Sequence, residues 1–150
     1  PPLLEEYMHL RRTTPIPLLP GVKEALAAGA KLGLKMAVVS NNPQAEVDAI
    51  LKTAGIHASF NAVIGNDLVI NGQKLRKKPA PDFYLHGCTT LGITPQHAAV
   101  FEDSALGCQA GIKAGCHVVG LLTGSASLTE LHTLQPKPAQ ILPNLLEPPA

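Results

Sequence analysis

Glu102 and Asp103 stand side by side directly after the apolar run Ala98–Phe101. Two adjacent acids at the end of a buried strand would sit near a crevice, where an unpaired charge costs free energy. A divalent cation is their natural partner, and an oxygen-only donor set favours magnesium. The plainer alternative is a helix cap, made by Asp103 or Ser104 for the helix that follows. A second polar cluster, Ser40-Asn41-Asn42, also ends an apolar run just before a helix start. There the Ser40 hydroxyl and free backbone N–H groups could hold a phosphate oxygen, or the serine could again be only a cap. The third cluster is the loop Lys77-Lys78-Pro79-Ala80-Pro81-Asp82. Lys78 belongs to a basic stretch that could be a solvated hairpin arm, but Pro79 and Pro81 stiffen the segment behind it. An ammonium held beside two carboxylates and a helix N-terminus makes a phosphate-plus-magnesium site.

The elements that must position these groups alternate between helical and strand periods. Val22, Ala25, Leu26, Gly29 and Leu32 recur at helical spacing. Leu34–Val39 is apolar apart from Lys35, the pattern of a buried parallel strand. Asn42 and Pro43 then predict an N-cap and a proline at the first position of a helix that closes at Gly55. Ala62–Ile64 is a short strand, and Asn71-Gly72 between two alternating arms predicts a type I′ hairpin. Helices are expected over about Pro81–Leu91 and Ala105–Ala114, and strands over Ala98–Phe101, His117–Leu122 and Gln140–Leu142. Ser127 and Glu130 form a capping box for a last helix. Strands alternating with helices through short loops predict an α/β, doubly wound parallel sheet covered on both faces. Ligands in such a sheet bind at the carboxyl ends of the strands, which is where all three polar clusters fall.

Composition narrows the partners. The chain has 150 residues, is 45% apolar and 15% charged, and carries a net charge of +1. That suits one ordered domain and argues against disorder. No apolar run is long enough for a membrane span, and no signal-peptide pattern opens the chain. A near-neutral charge gives no reason to expect a nucleic acid or a membrane surface as partner. The basic stretch Lys74–Lys78 contains none of the chain's five aromatic residues, so base stacking has little support. Cys88, Cys108 and Cys116 lack CxxC spacing and read as reduced core thiols of a cytoplasmic protein. The six histidines show no ligand spacing. Gly107, Gly111 and Gly115 line one helix face, a signal of close packing. Proline crowds both ends of the chain, five residues in the first 20 and five in the last 15.

Taken in order, several stretches resemble the haloacid dehalogenase-like superfamily, in its phosphatase and β-phosphoglucomutase-like branch. They are Leu19–Leu26, Ala37–Asn41, Lys78–Asp82 and Val100–Gly107, followed by Ala110–Gly120. The resemblance covers about residues 18–122. It implies that Ser40 and Asn41 bind the transferring phosphoryl group, that Lys78 neutralises its charge and helps orient the nucleophile, and that Asp103 and Glu102 hold Mg2+. It further implies a Rossmann-like core over residues 18–150 and the end of a helical cap with its linker over 1–17. The reaction implied is attack of an aspartate on phosphorus, giving an aspartyl-phosphate that water hydrolyses, on a small phosphorylated metabolite such as a sugar phosphate.

One departure bears on that implication. The family carries both catalytic aspartates in an Asp-x-Asp-Gly motif at the end of its first strand. Here the four aspartates, Asp48, Asp67, Asp82 and Asp103, include no Asp-x-Asp pair. The nucleophile is therefore expected upstream of this chain, with the first strand and most of the cap. The 150 residues alone are expected to be inactive. A sugar-phosphate mutase and a non-catalytic binding or structural domain are the alternatives. The hairpin segment 67–77 is longer than the usual link to the lysine loop, with no role assigned to it.

Overall fold

A computed structural model describes residues 2–146; Pro1 and the last four residues of the expected core unit, 147–150, lie outside the described residues. The chain runs α1 (Pro2–Thr13), α2 (Val22–Lys31), β1 (Ala37–Val39), α3 (Gln44–Thr53), β2 (Ala62–Ile64), β3 (Val69–Ile70), β4 (Gln73–Lys74), α4 (Asp82–Leu91), β5 (Ala99–Glu102), α5 (Ala105–Ala114), β6 (His117–Leu121), α6 (Leu128–Thr133) and β7 (Gln140–Leu142). Short 3-10 turns at His57–Ser59 and Pro95–His97 precede β2 and β5. The order of strands and helices is the expected α/β one. β1 pairs with β2, β5 with β6 and β6 with β7, all parallel, and β3–β4 is the only antiparallel pair among the described residues.

With the first strand expected outside this chain, the parallel strands lie in two pieces and not in one continuous sheet. They make a two-stranded piece, β1–β2, and a three-stranded piece, β5–β6–β7. Along a parallel strand, successive residues turn their N–H and C=O groups to opposite neighbours. Met36 and Ser40 bond β2, through Asn61 N to Met36 O at 2.7 Å and Ser40 N to Ile64 O at 2.9 Å. The backbone of Ala37 and Val39 therefore faces the other way. On β5, Ala98 O accepts from His117 N at 2.9 Å, so Ala99 and Phe101 present their backbone away from β6. Each piece thus has an open edge. On β6 the adjacent Val118 and Val119 are both buried, as expected of a sheet covered on two faces, whereas Phe101 on β5, at the open edge, is 55% exposed.

The main core lies between β5–β6 and the helices α4, α5 and α6. Tyr84, Val100, Cys108, Ala110, Val118 and Leu131 pack there. The glycine face of α5 makes this contact possible. A Cβ on Gly111 would stand 2.8 Å from a Val118 methyl, and one on Gly107 2.1 Å from the Glu102 carboxylate. Burial pushes the Cys108 thiol up to about 11 and the Cys116 thiol to about 12, as fits inert core thiols.

Helix ends follow local chemistry, with one correction. Ser104 caps α5 by accepting from Gly107 N, and Ser127 with Glu130 forms the expected capping box of α6. Ser127→Ala is expected to cost about 1 kcal/mol, read from urea unfolding midpoints. Asn42, however, does not cap α3. Asn42 N is drawn into a turn by Ser40 Oγ at 3.1 Å, and Pro43, at ψ 146°, is the residue before the helix rather than its first turn. The open Gln44 N–H is satisfied from a distance by Asp67 Oδ1 at 2.7 Å, which gives Asp67 a structural task. Asn71 and Gly72 both have positive φ, 52° and 77°, as a type I′ hairpin turn requires. Helix α1 rests on α3: Thr53 Oγ1 donates to Arg12 O at 3.0 Å, and Arg11 Nη1 stands 2.8 Å from Glu46 Oε1.

Candidate active site

The carboxyl ends of β1 and β5 face each other across an open cleft of about 440 Å3. Val39, Ser40, Asn41 and Asn42 line one side, and Phe101, Glu102, Asp103 and Ser104 the other. Lys78 lies between them. The fold thus brings all five sequence-predicted site residues, Ser40, Asn41, Lys78, Glu102 and Asp103, to one place.

Lys78 spans the gap. Its side chain is 7% exposed, and Nζ donates to Val39 O at 3.1 Å and to Glu102 Oε1. Val39 O belongs to the open edge of β1, so the lysine occupies a backbone acceptor that β2 cannot reach. An ammonium has three N–H donors. With two used on Val39 and Glu102, one is left for the cleft. The loop carrying Lys78 is held at both ends. Lys78 N bonds Asn41 Oδ1 at 3.3 Å, and Arg76 clamps Asp82 through Nη2 at 2.7 Å and Nε at 3.0 Å.

The two acids behave differently. Glu102 is 7% exposed and spends both oxygens inside the protein: Oε1 accepts from Lys78 and from Tyr84 OH, and Oε2 from Ser104 Oγ at 3.2 Å. Asp103 is exposed, and its carboxylate has no hydrogen bond or ion pair among the described residues. It lies against Gly124, whose Cβ would stand 2.2 Å from Asp103 Oδ2. Its backbone oxygen accepts from Ala126 N at 2.9 Å. In donor type this suits a hard divalent cation. In number it falls short, because no group of three potential ligands converges among the described residues. Asp103 is the acid left available, while Glu102 is committed to Lys78. Ser40 Oγ accepts from Asn42 N, and its own proton is left to donate.

A model of the haloacid dehalogenase-like hydrolases matches residues 3–115. The chain belongs to that family. Hexitol phosphatase A of Escherichia coli (strain K12) is 32% identical over 117 residues, 77% of this chain and 51% of that protein. Phosphoglycolate phosphatase of the same organism is 38% identical over 107 residues, 71% of this chain and 40% of that protein. Among solved structures, a putative β-phosphoglucomutase from Thermotoga maritima superposes with a TM-score of 0.71 at 27% identity, covering 83% of this chain and 55% of that one. The chain therefore spans about half the length of the relatives it matches, and its fold is that family's Rossmann-like α/β core. Among the described residues, no helix is long and apolar enough to cross a membrane.

One contributor to the site escapes motif reading: Tyr84 touches both members of the Lys78–Glu102 pair. Gly107, whose helix face signals close packing in the sequence, leaves the space in which the Glu102 carboxylate lies. Tyr84 is legible only as an inward position on α4, where a phenol looks like any other core aromatic.

Away from the cleft, two carboxylates tie helices in place. The His57 ring beside Asp48, and the Arg76 guanidinium beside Asp82, each hold a carboxyl below its usual value of 3.8. A depressed folded-state pKa stabilises above the unfolded value and loses that contribution as pH falls through the folded one. The thermal midpoint is therefore expected to drop as pH falls below about 4. Asp48→Asn and Asp82→Asn should each flatten that drop in a calorimetric pH series. Each effect should be modest, because the His57–Asp48 pair is partly exposed and Arg76 largely so.

Proposed function

We propose that the protein is the phosphate-holding part of a phosphomonoester hydrolase acting on a small phosphorylated metabolite, a sugar phosphate by preference. The observation that carries this is the Lys78 ammonium, buried, held by two acceptors and left with one donor toward a cleft shared by Ser40 and Asp103. In this reading Lys78 and the Ser40 hydroxyl, with Asn41 beside them, bind the phosphoryl oxygens and withdraw charge from them as phosphorus is attacked. Asp103 is the residue to hold a magnesium ion, whose chemistry would be to neutralise phosphoryl charge. Glu102 keeps Lys78 in place. The attacking aspartate comes from a segment outside these residues, on an extended strand that would lie between the open edges of β1 and β5. Helix α1 is the end of a cap over this cleft, and the free thiols suit the cytoplasm. The named substrates of the relatives, hexitol phosphates and phosphoglycolate, support a small acidic metabolite.

The test is hydrolysis of p-nitrophenyl phosphate with magnesium, by the chain alone and with a synthetic strand of about six apolar residues ending in Asp-x-Asp-Gly. The chain alone should bind inorganic phosphate without turnover, and the strand should confer magnesium-dependent release. Turnover by the chain alone would overturn the placing of the nucleophile. Failure to bind inorganic phosphate would overturn the site.

A further inference from the structure

We propose that Tyr84 is a positioning residue for phosphate binding, holding the Lys78 ammonium and the Glu102 carboxylate as one unit; this rests on the phosphate reading of the cleft. Tyr84 is the third residue of α4 and is buried, 7% exposed, among Val100, Cys108 and Leu131. A phenol in such a place is costly unless its hydroxyl is partnered. Here the partner is charged: the hydroxyl donates to Glu102 Oε1, the same oxygen that receives Lys78. The face of the ring lies toward the ammonium, with Nζ 4.8 Å from its centroid. One side chain therefore grips the anion through its O–H and the cation through its π face, a favourable geometry in a desolvated site.

A lysine needs this more than an arginine would. Its ammonium is a point charge on a flexible four-carbon stem, with no planar fork to fix its direction. The Arg76–Asp82 clamp and the Asn41 contact set the backbone of the loop, but not the direction of Nζ. Val39 O takes one N–H of the ammonium, and the second is only as fixed as the Glu102 oxygen it shares with Tyr84. The Tyr84 ring closes the side away from the cleft, and its hydroxyl fixes the oxygen. The third N–H is then aimed toward the side where Ser40 and Asp103 lie. Burial and the Glu102 charge both push the Tyr84 hydroxyl strongly upward in pKa, so it stays a donor.

The test uses the full chain with isotope-labelled lysine, and the variants Tyr84→Phe and Tyr84→Leu. In the wild type, the Lys78 side-chain resonances should be shifted upfield by the ring, and its ammonium protons should exchange slowly. Tyr84→Phe keeps the ring and the packing: the upfield shift should remain, while slow exchange is lost and inorganic phosphate binds about tenfold more weakly. Tyr84→Leu should lose the shift as well and bind more weakly still; where it does not fold, Tyr84→Phe alone decides. The inference falls if Tyr84→Phe matches the wild type in exchange and phosphate affinity, or if wild-type Lys78 shows no ring shift. A wild type that binds no inorganic phosphate sinks the phosphatase reading instead, and the lysine spectrum still decides whether Tyr84 holds the ammonium.

Discussion

Lys78→Met is expected to abolish binding of inorganic phosphate and to lower stability by about 3–5 kcal/mol. The stability loss comes from Glu102. That carboxylate is 7% exposed, and Lys78 is its only cationic partner among the described residues. Removing the ammonium leaves a buried charge supported by the Tyr84 and Ser104 hydroxyls alone. For a domain of this size the thermal midpoint should fall by on the order of 10 °C. The double variant Lys78→Met, Glu102→Gln separates the two effects. A glutamine oxygen can still accept from Tyr84 while carrying no charge, so most of the stability should return. Phosphate binding should not return, because the donor itself is gone. Calorimetry and phosphate titration on the three proteins would check this. A single variant as stable as the wild type would mean that the pair is solvated, not buried.

Gly107→Ala should also be strongly disruptive, against the usual rule. In an exposed helix interior the change gains roughly 1 kcal/mol from helix propensity. Here the new methyl would stand 2.1–2.4 Å from the three carboxyl atoms of Glu102. The carboxylate has no easy retreat, because Lys78, Tyr84 and Ser104 hold it from other sides. A net loss of about 1–3 kcal/mol is expected, as for an overpacked core. Phosphate affinity should fall with it, because displacing Glu102 releases Lys78. Gly111→Ala meets methyl groups of Val118 and Val100 instead, so it should cost stability and leave phosphate binding intact. Thermal melts and phosphate titrations of the two variants would show the difference. Equal phosphate affinity in both would mean that Glu102 does not govern the lysine.

Several local features could be read from residue order because they depend on neighbours within a turn. The Ser127–Glu130 capping box and the Asn71-Gly72 hairpin are set by spacing and by intrinsic backbone preference. The start of α3 shows where such reading stops. Asn42 and Pro43 carry the local signature of a cap, yet the open N–H is taken by Asp67, twenty-three residues away. A capping hydroxyl at Ser104 is legible in the sequence. That the same hydroxyl also donates to Glu102 is not.

The sequence by itself determined the alternation of strands and helices and the location of two polar clusters, at Ser40 and at Glu102, at the ends of parallel strands. The Lys78 loop instead follows the antiparallel hairpin and reaches the cleft from there. Hydrophobic period and turn chemistry are properties of short windows, and an ordered set of motifs ties those windows to one family. Only the tertiary structure decided how the clusters divide their work. It turned Glu102 inward to Lys78 and Tyr84 and left the Asp103 carboxylate open to the cleft. The physical reason is that charge pairing and strand pairing are long-range. Lys78 meets Glu102 across twenty-four residues and Val39 across thirty-nine, and no local pattern encodes which donor will find which acceptor.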